Sequence, residues 1–169
     1  DIVDAYTGVF AKDRLYVGAV GDITPEELGE LLDKLLADLP EAGKPIPGKA
    51  QVSIPGGVTV VDFDTPQSVA LFAQKGIDRD DPDFFAAYVL NHIIGGGGFE
   101  SRLMQEVREK RGLTYGVYSY LVPKDLASVY MGSVSSANDR IAQAIDVIRD
   151  EWRRAATEGV TQKELDDAK

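Results

Sequence analysis

The chain has 169 residues, a formal net charge of −10 and no cysteine. This length can form one good-sized domain with a buried core. The acidic balance argues against nonspecific binding of nucleic acid and against docking on anionic membranes, and it favours basic peptides as partners. The lack of cysteine excludes disulfides, a thiolate metal site and a thiol nucleophile, and no apolar run approaches the roughly 20 residues of a membrane span.

The N-terminal part is predicted to form a strand followed by a helix. An apolar run over residues 14–20 predicts a short buried strand. Thr24 then begins a helix, with Pro25 at the first position and Glu27 three residues after the cap, which is the pattern of a capping box. Leucines at helical spacing from Leu28 to Leu39 predict one broad buried face.

The next part contains a proline-rich segment, residues 41–56, which predicts a linker or an extended crossover. Two strands are predicted after it, over residues 58–63 and 68–75. Asp81 with Pro82 begins a helix that is apolar on most of its circumference and is therefore expected to be deeply buried.

Four consecutive glycines, Gly95 to Gly98, follow that helix. Glycine accepts positive φ and allows another backbone to approach closely, so the run predicts a helix end with a hinge or a contact surface. A further helix is predicted to end at Gly112, and its apolar face is expected to contain Phe99, Leu103, Met104 and Val107.

The C-terminal part is predicted to form a hairpin and a long helix. Residues 114–122 alternate as a strand, residues 123–125 form a turn and residues 127–134 form a second strand. Ser136 with Asp139 is expected to cap the long helix. The whole order predicts an α+β domain with a largely antiparallel sheet and helices packed on one face.

Thr161 and Glu164 form a second capping-box pattern a few residues before the sequence stops. The sequence also begins without methionine. We therefore expect it to be a piece of a longer protein, so that a catalytic group can lie outside it.

Four stretches of the sequence resemble the C-terminal, non-zinc-binding domain of the M16 family of zinc metallopeptidases, which includes pitrilysin, insulinase and mitochondrial processing peptidase. They are residues 17–40, 78–97, 101–121 and 158–169. The resemblance implies the M16 metallopeptidase-like (LuxS/MPP-like) fold. It also implies that residues 1–40 close a preceding half-unit, residues 41–56 link, and residues 57–169 form the C-terminal-type domain, with 1–169 as one domain in a coarser division.

In the M16 family an inverted H-x-x-E-H helix and a distant glutamate hold zinc in an N-terminal domain. The only histidine here is His92, which lacks that pattern, and one histidine cannot hold zinc by itself. The resemblance therefore implies a zinc-bearing domain or subunit as partner and a peptide as substrate. No cofactor or metal ligand is expected within this chain.

Arg108 and Tyr115 stand seven residues apart, as do the arginine and tyrosine that the C-terminal half of active M16 members contributes to the shared cleft. The resemblance implies that they polarise a peptide carbonyl or stabilise an oxyanion, for which a guanidinium fork and a phenol of pKa roughly 10 are suited. The alternatives are a helix-end cation for Arg108 and a half-buried strand aromatic for Tyr115. Arg111 is interpreted as solvated.

Other residues have less specific interpretations. The glycine run lacks the Lys-Ser/Thr of a phosphate loop, so nucleotide binding is disfavoured. His92 is interpreted as an ordinary core or surface histidine. The acidic pair Asp80-Asp81 is interpreted as a helix start, and Asp166-Asp167 as a solvated face.

Three hypotheses of function follow. The leading one is a substrate-clamping C-terminal domain of an M16-type zinc peptidase, inactive as an isolated piece. The alternative is a catalytically inactive M16-like binding or scaffold subunit, and a remote third is an unrelated α+β interaction domain. The resemblance suggests a soluble protein of the bacterial cytoplasm or periplasm.

Overall fold

The computed structural model describes all 169 residues, which divide into two compact units, Asp1–Gly48 and Lys49–Lys169. The first unit contains helix α1 (Ile2–Val9), a 3-10 turn (Lys12–Arg14) and helix α2 (Pro25–Leu35). The second contains, in chain order, β1 (Gln67–Lys75), α3 (Phe84–Asn91), the π-helical segment π1 (His92–Gly96), a 3-10 turn (Gly98–Glu100), the π-helical segment π2 (Met104–Glu109), β2 (Val117–Pro123), β3 (Ser128–Ala137), α4 (Ile141–Glu158) and α5 (Gln162–Asp167).

The first unit confirms the predicted helix start but not the predicted strand. Thr24 and Glu27 exchange the two hydrogen bonds of a capping box. Residues 15–20 form no strand, and Tyr16 and Val20 are fully exposed. A strand needs a neighbouring strand for its hydrogen bonds, and this unit contains none. The leucine face is also less covered than expected, since no residue of α2 is fully buried.

The sheet of the second unit has the order β1-β3-β2, and both pairings are antiparallel. Val134 of β3 lies opposite Ala70 and Val117, on the face that the helices cover. The predicted hairpin is therefore confirmed, whereas the predicted strand over residues 58–63 is wrong because no strand pairs with it. The core beneath the sheet consists of Ile94, Leu103, Met104, Val107, Leu113, Val117, Val134, Ala144 and Ile148.

The glycine run forms a contact surface. Helix α3 continues through π1, and a Cβ added to Gly95 would lie 2.9 Å from the backbone nitrogen of Ser119 on β2. Only glycine therefore allows π1 to approach β2 this closely. The expected deep burial of α3 is wrong, because Phe85 and Tyr88 are more than half exposed.

The last two helices differ in how they begin. Helix α4 follows Arg140 without a side-chain cap, and the expected cap Ser136 lies on β3, where its hydroxyl donates to the carbonyl of Leu113 at 2.5 Å. The capping box of Thr161 and Glu164 is confirmed at the start of α5.

None of the helices combines the length and the apolar character needed to cross a lipid bilayer.

Candidate functional site

Arg108 lies in the last turn of π2. The N–H of Gly112 donates to the carbonyl of Arg108 at 2.8 Å, and the N–H of Leu113 donates to that of Val107 at 2.9 Å. Gly112 has a φ of 60°, the left-handed conformation that commonly ends a helix. The backbone of Arg108 is thus held by hydrogen bonds, and its cation also suits the negative end of the helix.

The guanidinium of Arg108 contacts two side chains at the surface. Its Cζ lies over the ring of Phe99, 4.6 Å from the centroid. Its Nε lies 3.6 Å from Oε1 of Glu109, which is too long for a hydrogen bond. Such an exposed ion pair contributes little. The N–H groups of Arg108 therefore remain available as donors.

Tyr115 lies in the bend before β2 and not on the strand, because β2 begins at Val117. Its side chain is 88% exposed, so the half-buried strand aromatic is the wrong interpretation. Thr114 fixes the bend: its hydroxyl oxygen lies 2.5 Å from the carbonyl oxygen of Ser135 and accepts from the N–H of Gly116 at 3.0 Å. The phenol is therefore presented to solvent from an anchored backbone.

Arg108 and Tyr115 are close along the chain, but their side chains do not interact with each other. Residues 109–114 join them along the chain, and no hydrogen bond or cation–π contact links their side chains. Each offers free N–H or O–H donors. Donors of this kind can bind a carbonyl oxygen, and they bind it more strongly when it acquires negative charge.

Arg102 lies in the helical residues directly before π2 and is buried. Its side chain is 8% exposed, and its Nε and Nη2 donate to the two carboxylate oxygens of Glu164 at 2.5 and 2.7 Å. Nη2 also donates to the carbonyl of Gly159 at 3.0 Å. This two-pronged ion pair fastens α5 to the segment that carries Arg108.

Glu106 is the second charged residue that the structure buries. It accepts from Nζ of Lys110 at 2.6 Å and from Nη1 of Arg111 at 2.7 Å. Arg111 also donates to the carbonyl of Glu106. Arg111 is 40% exposed, which agrees with its interpretation as solvated, and it also pairs with this buried carboxylate.

The pKa values of three acids shift because of their partners or their burial. Hydrogen bonds from Arg102 lower the pKa of Glu164 from 4.5 to about 2. The hydrogen bond from Lys110 lowers the pKa of Glu106. Burial raises the pKa of Glu151, whose Oε2 lies 2.8 Å from Nη2 of Arg154 without a well-directed hydrogen bond.

The chain does not fit a zinc ion. His92 is exposed, and no group of three histidine, aspartate or glutamate side chains is placed to hold a metal.

The glycine run and the acidic pairs have structural roles. The glycine run contacts β2. Asp81 accepts from the N–H of Asp83 at 2.9 Å at the start of α3, and Asp167 pairs with Lys163, so the acidic pairs have structural partners.

Two residues near the candidates were not singled out from the sequence. Phe99 was placed on the apolar helical face, but it lies in the 3-10 turn before the helix and is 62% exposed. Its position directly after four glycines is a signal that it precedes the helix. Thr114, which fixes the bend at Tyr115, has no comparable signal because its partner Ser135 is distant in sequence.

The comparisons with known proteins agree on one family. The family model described as peptidase M16 inactive domain matches residues 1–169. An uncharacterized zinc protease of Streptomyces coelicolor is 37% identical over 124 residues, which are 72% of this chain and 26% of that protein. A non-peptidase homolog of Helicobacter pylori is 26% identical over 169 residues, the whole of this chain and 39% of that protein.

Among solved structures, the crystal structure of a peptidase M16 inactive domain from Pseudomonas fluorescens matches with a TM-score of 0.72 at 37% identity. The match covers 88% of this chain and 36% of that one. The predicted α+β fold class, with its antiparallel sheet and one helical face, is therefore confirmed. The chain spans between about a quarter and two fifths of the length of these relatives.

Proposed function

The chain belongs to the peptidase M16 family, and on that premise we propose that it is the substrate-clamping C-terminal domain of a zinc-dependent peptidase. In this role Arg108 and Tyr115 act in a peptide-hydrolysing site whose zinc is held by another domain or subunit. The division of the chain into a preceding half-unit (1–40), a linker (41–56) and the domain itself (57–169) is part of the same proposal. Alone, the chain has no peptidase activity.

One observation supports this role above the others: Arg108 and Tyr115 have anchored backbones and unpaired donors. Gly112 fixes one and Thr114 fixes the other; the side chain of Tyr115 is 88% exposed and that of Arg108 is 31% exposed. Donors that are already in place cost no reorganisation when negative charge develops on a peptide carbonyl oxygen. Arg108 supplies a charged fork, and Tyr115 supplies a neutral donor.

The donor set of this chain does not fit a zinc ion, which supports the proposal that another domain holds it. The names of the relatives supply the expectation of zinc, since several are called zinc proteases. The net charge of −10 favours basic peptides over nucleic acid and over anionic membranes as partners. A zinc-bearing M16 domain or subunit and a peptide substrate are therefore the proposed partners.

Peptide cleavage by the assembly of this chain with its H-x-x-E-H domain tests the proposal. Removing one oxyanion donor typically costs about 2.7–4 kcal/mol of transition-state stabilisation. We therefore expect the Arg108→Ala, Tyr115→Phe double variant to lose roughly a hundredfold or more in kcat. Wild-type activity in that variant would contradict the role.

Matched controls come from the same domain. Arg149 is exposed and has only a loose contact with Asp146 at 3.8 Å, and Tyr120 is a half-exposed tyrosine of β2. The Arg149→Ala, Tyr120→Phe variant changes the same residue types and is expected to keep full activity. Equal loss in the two double variants would show a general effect of removing surface donors.

The second candidate function is a catalytically inactive binding or scaffold subunit. It is favoured by one observation, the full-length match of this chain to a relative described as a non-peptidase homolog. The two functions differ in whether an H-x-x-E-H domain accompanies the chain. Its absence from both the parent polypeptide and every associated subunit would support the scaffold and contradict the peptidase role.

A further inference from the structure

The 3-10 turn after the glycine run presents an aromatic ring to the guanidinium of Arg108. Phe99 is 62% exposed, although phenylalanine normally gains from burial. The Cζ of Arg108 lies over its ring, 4.6 Å from the centroid. This distance is well within the roughly 6 Å of a cation–π contact. The ring of Phe99 therefore contacts Arg108 and is not part of the core cluster.

The backbone of Phe99 is fixed on both sides. Gly98 has a φ of 61°, and its carbonyl accepts from the hydroxyl of Ser101 at 2.8 Å. The carbonyl of Phe99 accepts from Nε2 of Gln105 at 2.9 Å. Since Ser101 is itself buried, the turn is tied to the packed start of the helix. The ring is therefore attached to a firm support.

No other group holds the guanidinium. The carboxylate of Glu109 is 3.6 Å away and half exposed, so this ion pair does not fix a geometry. An aromatic face attracts the cation without accepting a conventional hydrogen bond. The ring can thus restrict the motion of Arg108 and leave its donors free for another acceptor.

We propose that Phe99 is a positioning residue that holds the guanidinium of Arg108 ready for the substrate carbonyl oxygen. This inference rests on the function proposed above for Arg108. It predicts that an aromatic face at position 99 is required, whereas the particular aromatic residue is not. Tyrosine and tryptophan provide such a face; leucine keeps the apolar character and removes it.

The contact itself is tested in the 169-residue chain without any activity. The Nε–Hε and Cδ protons of Arg108 should show ring-current shifts in the NMR spectrum that disappear in Phe99→Leu and persist in Phe99→Tyr. Arg149, which has no aromatic neighbour of this kind, is the internal reference. Unshifted Arg108 resonances in the wild-type chain would overturn the proposal.

The functional consequence is tested by a double-mutant cycle in the assembly with the H-x-x-E-H domain. Phe99→Leu is expected to lower kcat/KM about two- to fivefold, the equivalent of an exposed cation–π contact, and Phe99→Trp is expected to restore it. In an Arg108→Ala background the same Phe99→Leu change is expected to have no effect, because the group it positions is gone.

A matched control is the Arg79–Phe85 contact of the same domain, where Cζ lies 5.2 Å from the ring centroid. Phe85→Leu removes an exposed ring beside an arginine and is expected to leave kcat/KM unchanged. Two outcomes would overturn the positioning role alone. In the first, Phe99→Leu lowers kcat/KM equally with and without Arg108. In the second, Phe99→Leu leaves kcat/KM unchanged while Arg108→Ala lowers it. Full activity in Arg108→Ala would overturn the proposed function and the positioning role together.

Discussion

Arg102 and Arg108 lie on the same helical segment but have opposite surroundings. Arg102 is buried, and its Nε and Nη2 donate to the two oxygens of Glu164. Arg108 is 31% exposed, lies beside an aromatic ring and makes no close ion pair. The first arrangement stabilises the fold and leaves little for a ligand, whereas the second leaves donors free and adds little stability. Their difference separates a structural arginine from a functional candidate.

The largest difference is expected when the charge of each arginine is removed. Arg102→Met leaves Glu164 without its partner, and we expect the free energy of unfolding to fall by about 2–4 kcal/mol. Arg108→Met is expected to change it by less than about 0.5 kcal/mol. Urea denaturation of both variants measures the difference. Similar losses would mean that the two arginines are structurally equivalent.

The close contact of Gly95 with β2 gives the next largest effect on stability. Gly95→Ala places a Cβ against Ser119, so we expect a loss of about 1–3 kcal/mol in the free energy of unfolding. The control is Gly29→Ala in α2, where a Cβ meets nothing within 4 Å and alanine favours the helix by about 0.5–1 kcal/mol. Thermal unfolding should therefore shift in opposite directions, and an unchanged midpoint in Gly95→Ala would contradict the close contact.

The Arg102–Glu164 ion pair also predicts that the free energy of unfolding depends on pH. The pKa of Glu164 is about 2 in the folded chain and 4.5 ordinarily, so the folded state binds its proton less tightly. This contribution is fully present above about pH 4.5 and is lost as the pH falls toward 2. We expect it to be smaller than the Arg102→Met effect because Glu164 is partly exposed.

Measuring the free energy of unfolding from pH 5 to pH 2 tests this, with Arg102→Met as the reference. The slope assigned to Glu164 should be absent in that variant. Equal slopes in the two proteins would show that other carboxylates account for the acid sensitivity.

The smallest effect is expected at the exposed candidate residues. Phe99→Leu and Tyr115→Phe are each predicted to change the free energy of unfolding by less than about 0.5 kcal/mol, because both side chains are mostly exposed. Urea midpoints measure this alongside the peptide cleavage assays. A larger loss would place these residues with Arg102 as structural.

The sequence predicted well the features that depend on local contacts. The capping boxes at Thr24 and Thr161 and the helix end at Gly112 each involve residues within a turn of one another. The hairpin of β2 and β3 is similarly local. Such features are visible in the sequence because the interacting residues are neighbours along it.

Features that need a distant partner were predicted less well. Residues 14–20 and 58–63 have apolar strand patterns, but neither lies beside another strand. Arg102 has the polar character of an exposed helix side, and its burial depends on Glu164, which is 62 residues away in the sequence. In both cases the decisive contact is absent from the local pattern.

In the candidate site, too, some features were predicted from the sequence and others were not. The spacing of Arg108 and Tyr115 is visible in the sequence, and in the structure Tyr115 is largely exposed and Arg108 is partly exposed. The role of Phe99 was not predicted because its apolar character fits a helical face equally well. The left-handed Gly98 turns the chain before the helix begins and leaves Phe99 exposed.

The strand order has a consequence for how quickly the domain forms. β2 and β3 are joined by a short turn, whereas Lys75 at the end of β1 pairs with Val129, across the intervening helices. Closing the longer loop costs more chain entropy before any contact is gained. We therefore expect the hairpin to form early and the docking of β1 to limit the folding rate. Amides of β3, bonded on both sides, should be the slowest of the sheet to exchange with deuterium.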